Sequence, residues 1–327
     1  VPPGTCQEIV YPEIKNALQK RKLPTNNFMI GHSYERVMPG PNYIDSIQNF
    51  YRVYSGINDI SSDKTEKFLR TIIKTDKYPL TRLHSTNATE MAKVLENSFR
   101  AMNIAFVVEW SRFAEEAGVN FYEIIDAIRM RPTHKNIMYP GIGVGGYCLT
   151  KDPLLASWSR QNLFNSPNNL EQSEMGVRIN DKMPCFAFEY LKGQLLELNY
   201  QIKNVALLGV SYRSDVGDTR YSPVENFYLQ LQNFTENIHL TDPYVKYWDE
   251  LQKEIVLDFK KILSKSLDLV IITTSHSQYK SSKILLDLLM KKNKIFIYDT
   301  VGLLNDDEIK ILSSKHIVRV LGRGDIN

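Results

Sequence analysis

The sequence predicts an α/β chain in three parts, and three observations carry that expectation. After Lys203 the hydrophobic period changes. Val205–Val210, Asn237–Thr241, Leu267–Thr274, Lys294–Asp299 and Ile317–Leu321 are short β-rich runs separated by helical lengths. That alternation is the signature of a parallel sheet with crossover helices. From Asn87 to about Gly118 one helical pattern runs on without a break. Ahead of it, strand-like and helical runs alternate over shorter lengths. The expected boundaries are residues 1–84, 85–200 and 201–327.

Composition narrows the function classes. The 327 residues are 43% hydrophobic and 24% charged, which suits two or three domains with cores of their own. A formal charge of +3 calls for neither nucleic acid nor an acidic membrane surface. No apolar run approaches the roughly 18 residues of a membrane span. The opening Val1-Pro2-Pro3-Gly4 is not a signal peptide. Cys6, Cys148 and Cys185 are few, odd in number and without C-x-x-C spacing, which points to a reducing compartment, the cytoplasm. The histidines form no H-x-x-x-H or Cys/His cluster, so no metal site is expected.

Taken in order, Thr5-Cys6-Gln7-Glu8 fits a capping box opening a helix to about Lys22. Asn27–Ser33 and Arg52–Ile57 read as strands, Ser61–Lys74 as a helix and Leu80–Ser85 as extended chain. Asn87-Ala88-Thr89-Glu90 reads as an N-cap with Glu at N3, and Gly118 suits the helix stop. Met91, Val94, Leu95, Met102, Ala105 and Val108 give this helix an apolar face. Glu90, Lys93, Asn97 and Arg100 share another face, which spacing alone makes either a wet side or a site. A further helix runs from Gly118 to Met130 and leads into the basic loop Arg131-Pro132-Thr133-His134-Lys135-Asn136. Pro153–Asn162 and Glu171–Tyr200 read as helices, with Pro184 starting or kinking the second part of the latter. Asn165–Asn169 is turn chemistry.

The most particular stretch is Tyr139 to Pro153, Y-P-G-I-G-V-G-G-Y-C-L-T-K-D-P. Gly141, Gly143, Gly145 and Gly146 allow backbone shapes closed to other residues and let a ligand approach the main chain. Cys148 follows where N–H groups can converge on a reacting oxygen. Lys151 and Asp152 place a cation and a carboxylate nearby, and a cation favours thiolate. The plainer alternative is a tight loop with an inert cysteine. Ser211–Pro223 forms a second such stretch after the first C-terminal strand, and Ser222-Pro223-Val224-Glu225 opens a helix with N-cap, Pro at N1 and Glu at N3. A strand–loop–helix start aims unpaired N–H groups at an anion, and Arg213 and Arg220 add charge. An Arg–Asp paired loop, through Asp215 and Asp218, is the alternative.

G-V-G-G-Y-C-L-T-K-D closely resembles the catalytic cysteine loop of the nucleotide-sugar 6-dehydrogenases, the UDP-glucose and UDP-N-acetylhexosamine dehydrogenases. Other segments resemble the same family in the same order. They are V-P-P-G-T at residues 1–5, E-R-V-x-P-G at 35–40, E-x-x-K-x-x-x-N-x-x-R at 90–100, R-I-N-D-K-M-P at 178–184 and D-T-R-x-S-P at 218–223. Tyr34 stands where the family usually has Pro. The resemblance implies a Rossmann-like UDP-binding domain at the C-terminus and a central helical domain that dimerises through its long helix. Ahead of these it implies the later part of a Rossmann NAD-binding domain. A strand running into a G-x-G-x-x-G turn is not found, since Val205–Val210 supplies only Gly209.

The activity so implied is oxidation of a UDP-sugar C6 hydroxyl to carboxylate by two NAD⁺ in turn. Cys148 would form a thiohemiacetal and then a thioester. Lys93 and Asn97, four residues apart, would hold the negative oxygen, and Glu35 or Asp152 would activate water. Thr5 would position water or substrate. Thr5, Glu35 and Lys151 are assigned to the cofactor side. Lys93, Asn97, Gly145 and Arg213 are assigned to substrate, and Arg131 to the partner subunit's substrate, with His134 and Lys135 open as substitutes. Arg220 is open to a structural role. Asp242-Pro243 is not counted as a ribose acid, and Asp299-Thr300-Val301-Gly302 carries no substrate claim because Val301 replaces an Arg. The Glu35–Gly40 segment leans towards an N-acetylhexosamine, while Gly145–Asp152 resembles some UDP-glucose enzymes equally. Three other readings stand beside this one. A single-hydride β-hydroxyacid dehydrogenase needs neither Cys148 nor residues 203–327. A UDP-sugar-binding or dimerising piece without catalysis would need no NAD pocket. A nucleic-acid module lacks a basic stripe.

Overall fold

The structure is a computed structural model that describes every residue except Arg36, Met38, Pro39, Pro41, Glu236 and Asn327. The expected E-R-V-x-P-G segment therefore lies partly outside the described residues, at Arg36, Met38 and Pro39. The chain forms two compact units. One holds residues 1–100 and 151–174, the other residues 101–150 and 175–327. No helix among the described residues is long and apolar enough to cross a membrane.

The first unit opens with a π-helical turn, Thr5–Val10, that continues as α1 (Tyr11–Lys20). A small sheet follows from β1 (Gly31–His32), β2 (Arg52–Gly56) and β3 (Leu80–Arg82), in that order. β1 pairs antiparallel with β2, and β2 pairs parallel with β3. The expected strand over 27–33 thus shrinks to two residues. Helices α2 (Tyr43–Gln48) and α3 (Asp59–Arg70) flank it. Gly31 lies so close to α3 that a Cβ there would sit 1.8 Å from Thr65 Oγ1.

The long helix is α4 (Thr86–Ala117), which begins in the first unit and ends in the second. Its expected cap is corrected. The N–H of Ala88 reaches Ser85 Oγ at 3.3 Å, so Ser85 rather than Asn87 does the capping. Glu90, freed from a local role, is fully buried and accepts from Gly4 N at 2.7 Å and Cys6 N at 2.9 Å. These are orphan donors of the first helical turn. The Thr5–Glu8 capping box does not form. Gly4, at φ 91°, is the N-cap, and Thr5 Oγ1 donates to Pro2 O at 2.6 Å instead. A distant carboxyl supplies what the local pattern assigned to Thr5. Hydrogen bonds to a charged acceptor contribute about 1.5–3 kcal/mol each, so Glu90 is the main tie between the N-terminal turn and α4.

In the second unit α5 (Phe121–Arg129) starts on Asn120, whose Oδ1 accepts from Tyr122 N at 3.0 Å. Helix α6 (Tyr147–Asn162) is shared between the units and starts six residues before Pro153, where the sequence placed its beginning. Cys148 therefore sits in a helix's first turn and not in a loop. Helix α7 (Glu171–Glu197) runs through Pro184, and α8 is Pro223–Phe234. The five expected C-terminal strands all form: β4 (Asn204–Leu208), β5 (Asn237–Thr241), β8 (Leu269–Ile272), β9 (Phe296–Asp299) and β10 (Ile317–Val320). A two-stranded ribbon, β6 (Tyr247–Trp248) and β7 (Lys253–Glu254), interrupts them. Helices α9 (Phe259–Leu263), α10 (Lys283–Met290) and α11 (Asp306–Ser313) complete the unit.

The sheet is parallel throughout, in the order β10-β9-β8-β4-β5. V-A-L-L and L-V-I-I are apolar at every position because both faces are covered. Val205, Leu207, Leu269 and Ile271 face one core with Leu191, Leu195, Phe227 and Leu231. Ala206, Leu208, Val270 and Ile272 face the other with Ile262, Leu285, Leu289 and Leu312. The order reverses between β4 and β8, and ligands of such sheets bind at the carboxyl ends of the strands flanking that reversal. There lie Gly209–Arg213 and Thr273–His276.

Candidate active site

In the first unit the structure gathers Glu35, Lys93, Asn97, Lys151 and Asp152. Their support begins one turn earlier on α4. Thr89, fully buried, meets His32 Nδ1 and Ser55 Oγ, each at 2.8 Å, which locks the helix to β1 and β2. Lys93 then lies one turn on. Its Nζ donates to Glu35 O at 3.3 Å, stands 3.9 Å from Glu35 Oε1 and is 5.8 Å from the centre of the Tyr34 ring. The Lys93 side chain is 17% exposed and that of Glu35 55%, so the amine is held inward while the carboxylate meets water. Asn97, four residues further, donates to Asp152 Oδ2 at 2.6 Å. Asp152 is buried, and its other oxygen takes Lys151 Nζ at 3.2 Å. Both Asp152 oxygens are thus engaged. Glu35 Oε2 accepts from Val37 N at 2.6 Å, and its Oε1 stands 3.9 Å from the Lys93 amine.

Cys6, by contrast, is inert. Burial, helped by its hydrogen bond to Glu90, pushes its thiol up to about 12. Cys148 is exposed. The two cysteines are separated by environment, as a nucleophile and a core residue should be.

In the second unit the glycine run is packed onto the loop that follows β4. A Cβ on Gly143 would meet Pro223 Cβ at 2.4 Å, and one on Gly145 would meet Tyr212 Cβ at 2.4 Å. Gly145 is therefore required for close approach, whatever else it touches. Gly146, at φ 77°, donates its N–H to Arg220 O at 3.2 Å. Tyr212 is half-buried. Burial pushes its hydroxyl upward, the Asp218 charge acts in the same direction, and Arg213 and Arg220 oppose them. Sequence reading missed Tyr212, whose only signal is its place in the loop beside Arg213.

Four N–H groups of this loop already have partners inside the protein. Val210 N and Ser211 N donate to the buried Asp242 Oδ2 at 2.8 and 3.1 Å, Asp215 N to His276 Nδ1 at 3.0 Å, and Tyr212 N to Asp218 O at 3.1 Å. These groups are spent inside the loop. Although burial opposes it, the His276 hydrogen bond and the backbone N–H groups hold the Asp242 carboxyl below its usual range. Asp242 is thereby a structural clamp. Arg220 is committed as well. Its Nε and Nη2 meet Asp218 Oδ1 and Oδ2 at 2.8 and 2.6 Å, and the Arg220 hydrogen bond lowers the Asp218 carboxyl. Arg213 is exposed at the head of the loop. Arg131, His134 and Lys135 are all exposed. Arg129 is the engaged neighbour, on Ile137 O at 3.0 Å and over the Tyr139 ring at 4.8 Å.

Neither glycine turn of the second unit offers a cradle for the NAD pyrophosphate. At Gly209, the turn after β4, a Cβ would sit 2.4 Å from Thr274 Cβ, and the next two N–H groups belong to Asp242. Gly141, Gly143 and Gly146 do have literal G-x-G-x-x-G spacing ahead of a helix. Residues 135–146 contain no strand, however, and Pro223 and Tyr212 fill the space against Gly143 and Gly146.

Comparison with known proteins shows the family. The UDP-glucose/GDP-mannose dehydrogenase family is matched at its central domain by residues 87–181 and at its UDP-binding domain by residues 206–306. The UDP-N-acetyl-D-mannosamine dehydrogenase of Pyrococcus horikoshii is 32% identical, over 100% of this chain and 72% of its own length. That of Methanocaldococcus jannaschii is 30% identical over 93% and 65%. The solved structure of the UDP-D-ManNAc dehydrogenase from Pyrococcus horikoshii superposes with a TM-score of 0.80 at 29% identity, covering 100% of this chain and 72% of that one. An NDP-N-acetyl-D-galactosaminuronic acid dehydrogenase from Methanosarcina mazei Go1 shares the fold, with a TM-score of 0.82 at 23% identity over 99% and 68%. With its long central helix, its parallel nucleotide-binding sheet and this likeness over its whole length, the chain belongs to the UDP-glucose/GDP-mannose dehydrogenase family of NAD-dependent UDP-sugar dehydrogenases.

Proposed function

We propose that this chain serves oxidation of the C6 hydroxyl of a UDP-linked N-acetylhexosamine, N-acetylmannosamine foremost, to the carboxylate through a thioester on Cys148. One observation carries the reading. Cys148 and Asp152 are four residues apart on α6, and Asp152 is bonded to Asn97, which shares a helix face with Lys93. The sugar follows from the names of the relatives and from the Glu35–Gly40 segment.

The two-electron oxidant of the family is NAD, which when bound would accept hydride from C6. What the chain's own residues supply is acyl chemistry. Cys148 Sγ adds to the C6 carbonyl carbon, and the carbonyl electron pair moves to oxygen. The Lys93 ammonium and the second Asn97 N–H hold that oxygen. Once the carbon is at the acyl level, water attacks it, Glu35 takes the proton and the thiolate leaves. Asp152 keeps Asn97 turned towards the reacting oxygen. Arg213 meets the diphosphate.

The filled glycine turns at Gly143 and Gly209 favour a second reading, a UDP-sugar-binding piece without catalysis. Calorimetry and NADH formation with UDP-glucose, UDP-GlcNAc, UDP-GalNAc and UDP-ManNAc separate the two. The expected result is binding of the UDP-sugars with NADH formed fastest from UDP-ManNAc. Tight UDP-ManNAc binding with no NADH from any of the four sugars would leave only the binding piece.

We also infer a homodimer through α4. Met91, Leu95, Phe99, Phe106, Trp110 and Phe113 are all exposed and recur at helical spacing along one helix. Sedimentation at micromolar concentration should give twice the chain mass. A monomer there contradicts the inference.

A further inference from the structure

Tyr147 immediately precedes the exposed cysteine in the first turn of α6, and its side chain is not a core residue: the residue is 43% exposed. Even so, its ring is held from two sides. The Arg220 guanidinium stands 4.9 Å from its centre, and the Tyr221 ring meets it edge-on at 5.0 Å and 76°. Both partners are fixed in turn. Arg220 is locked in plane by its two bonds to Asp218. Tyr221 has a left-handed backbone, φ 54°, which a bulky residue keeps only where its surroundings impose it. Here its carbonyl lies over Gly145, 2.7 Å from where a Cβ would be, and Ser222 caps the next helix. The Gly146 N–H closes the contact on Arg220 O. A strained tyrosine and a fixed cation thus converge on the exposed ring of the residue beside the sulfur. They come from the loop of the matched UDP-binding domain that also carries Arg213.

We propose that Tyr147 is a positioning residue. With Arg220 and Tyr221 it ties the first turn of α6, and so the Cys148 sulfur, to loop 211–223, so that a nucleotide on that loop sets the sulfur's orientation. For its catalytic consequence this rests on Cys148 being the nucleophile. The tie itself does not. A diphosphate on Arg213 draws on the same short loop that holds Arg220 by Asp218, and the Tyr147 ring passes the shift to the helix terminus. UDP alone, without the sugar, is enough to act.

The test is iodoacetamide alkylation of Cys148, followed by the mass of its peptide, with and without UDP, in the full chain and in Tyr147→Ala and Tyr147→Phe. UDP affinity is measured by calorimetry. UDP should change the alkylation rate by about fivefold in the parent and in Tyr147→Phe, which keeps the ring, and leave it unchanged in Tyr147→Ala. Tyr147→Ala should bind UDP within about twofold of the parent and lose about tenfold in kcat with little change in KM. The proposal is overturned if Tyr147→Ala keeps the parent's UDP response, if the parent has none, or if Tyr147→Ala fails to bind UDP, since Tyr147 would then be a binding residue. Acid formation by Cys148→Ala would instead remove the nucleophile reading and leave the alkylation result standing.

Discussion

Alanine in place of Cys148 should reduce acid formation by about four orders of magnitude, to background, while UDP-sugar binding survives. In the proposed mechanism the sulfur carries the acyl group, and neither other cysteine is placed to replace it. Cys6 is buried with its thiol raised to about 12, and Cys185 is only partly exposed on α7. Because Cys148 is exposed in the first turn of a helix, the substitution removes no core packing, so folding should be unaffected. The readout is uronate by chromatography alongside calorimetry with the UDP-sugar. Cys148→Ser should fail at the same step, since a hydroxyl is a weaker nucleophile and its ester a slower acyl donor. Normal acid yield from Cys148→Ala would refute covalent catalysis outright.

Removing the amine at Lys93 should cost about two to three orders of magnitude in kcat. The Lys93 ammonium is mostly buried, and Glu35 is the carboxylate beside it, with its carbonyl at 3.3 Å and Oε1 at 3.9 Å. Such an amine is held in place before the oxygen charge develops, which is what makes it effective. Lys93→Met keeps the aliphatic stem and removes the charge, so the loss should appear in kcat with KM nearly unchanged. Asn97→Ala should behave alike but also release Asp152. A pure KM effect from Lys93→Met would place this amine on the substrate's ground state and not on its oxyanion.

Much of this was legible in the residues. The five C-terminal strands and α4 were readable because their periodicities are long and tertiary context reinforces them. The caps were not. Thr5-x-x-Glu8 and Asn87-x-x-Glu90 both have the local capping pattern, yet Glu90 turns away to Gly4 and Cys6, more than eighty positions distant in sequence. A local pattern cannot register a competing partner at that range. The start of α6 was misplaced for a similar reason. Pro153 is a good N1 residue by propensity, but contacts of Gly145 and Gly146 with residues 212–223 set the helix terminus earlier. In the loop after β4, Asp242 occupies the N–H groups of Val210 and Ser211, a partner that no local pattern registers. Lys93, Asn97, Asp152 and Glu35 are assigned to the site through a resemblance, and spacing alone leaves Lys93 and Asn97 on a wet helix face.

The most direct test is the mass of the Cys148 peptide after acid quench of the chain turning over UDP-ManNAc with NAD⁺. The account expects the sugar nucleotide's acyl group on that sulfur, appearing before free acid and absent from Cys6 and Cys185. Acid accumulating while Cys148 stays unmodified at every quench time would contradict it.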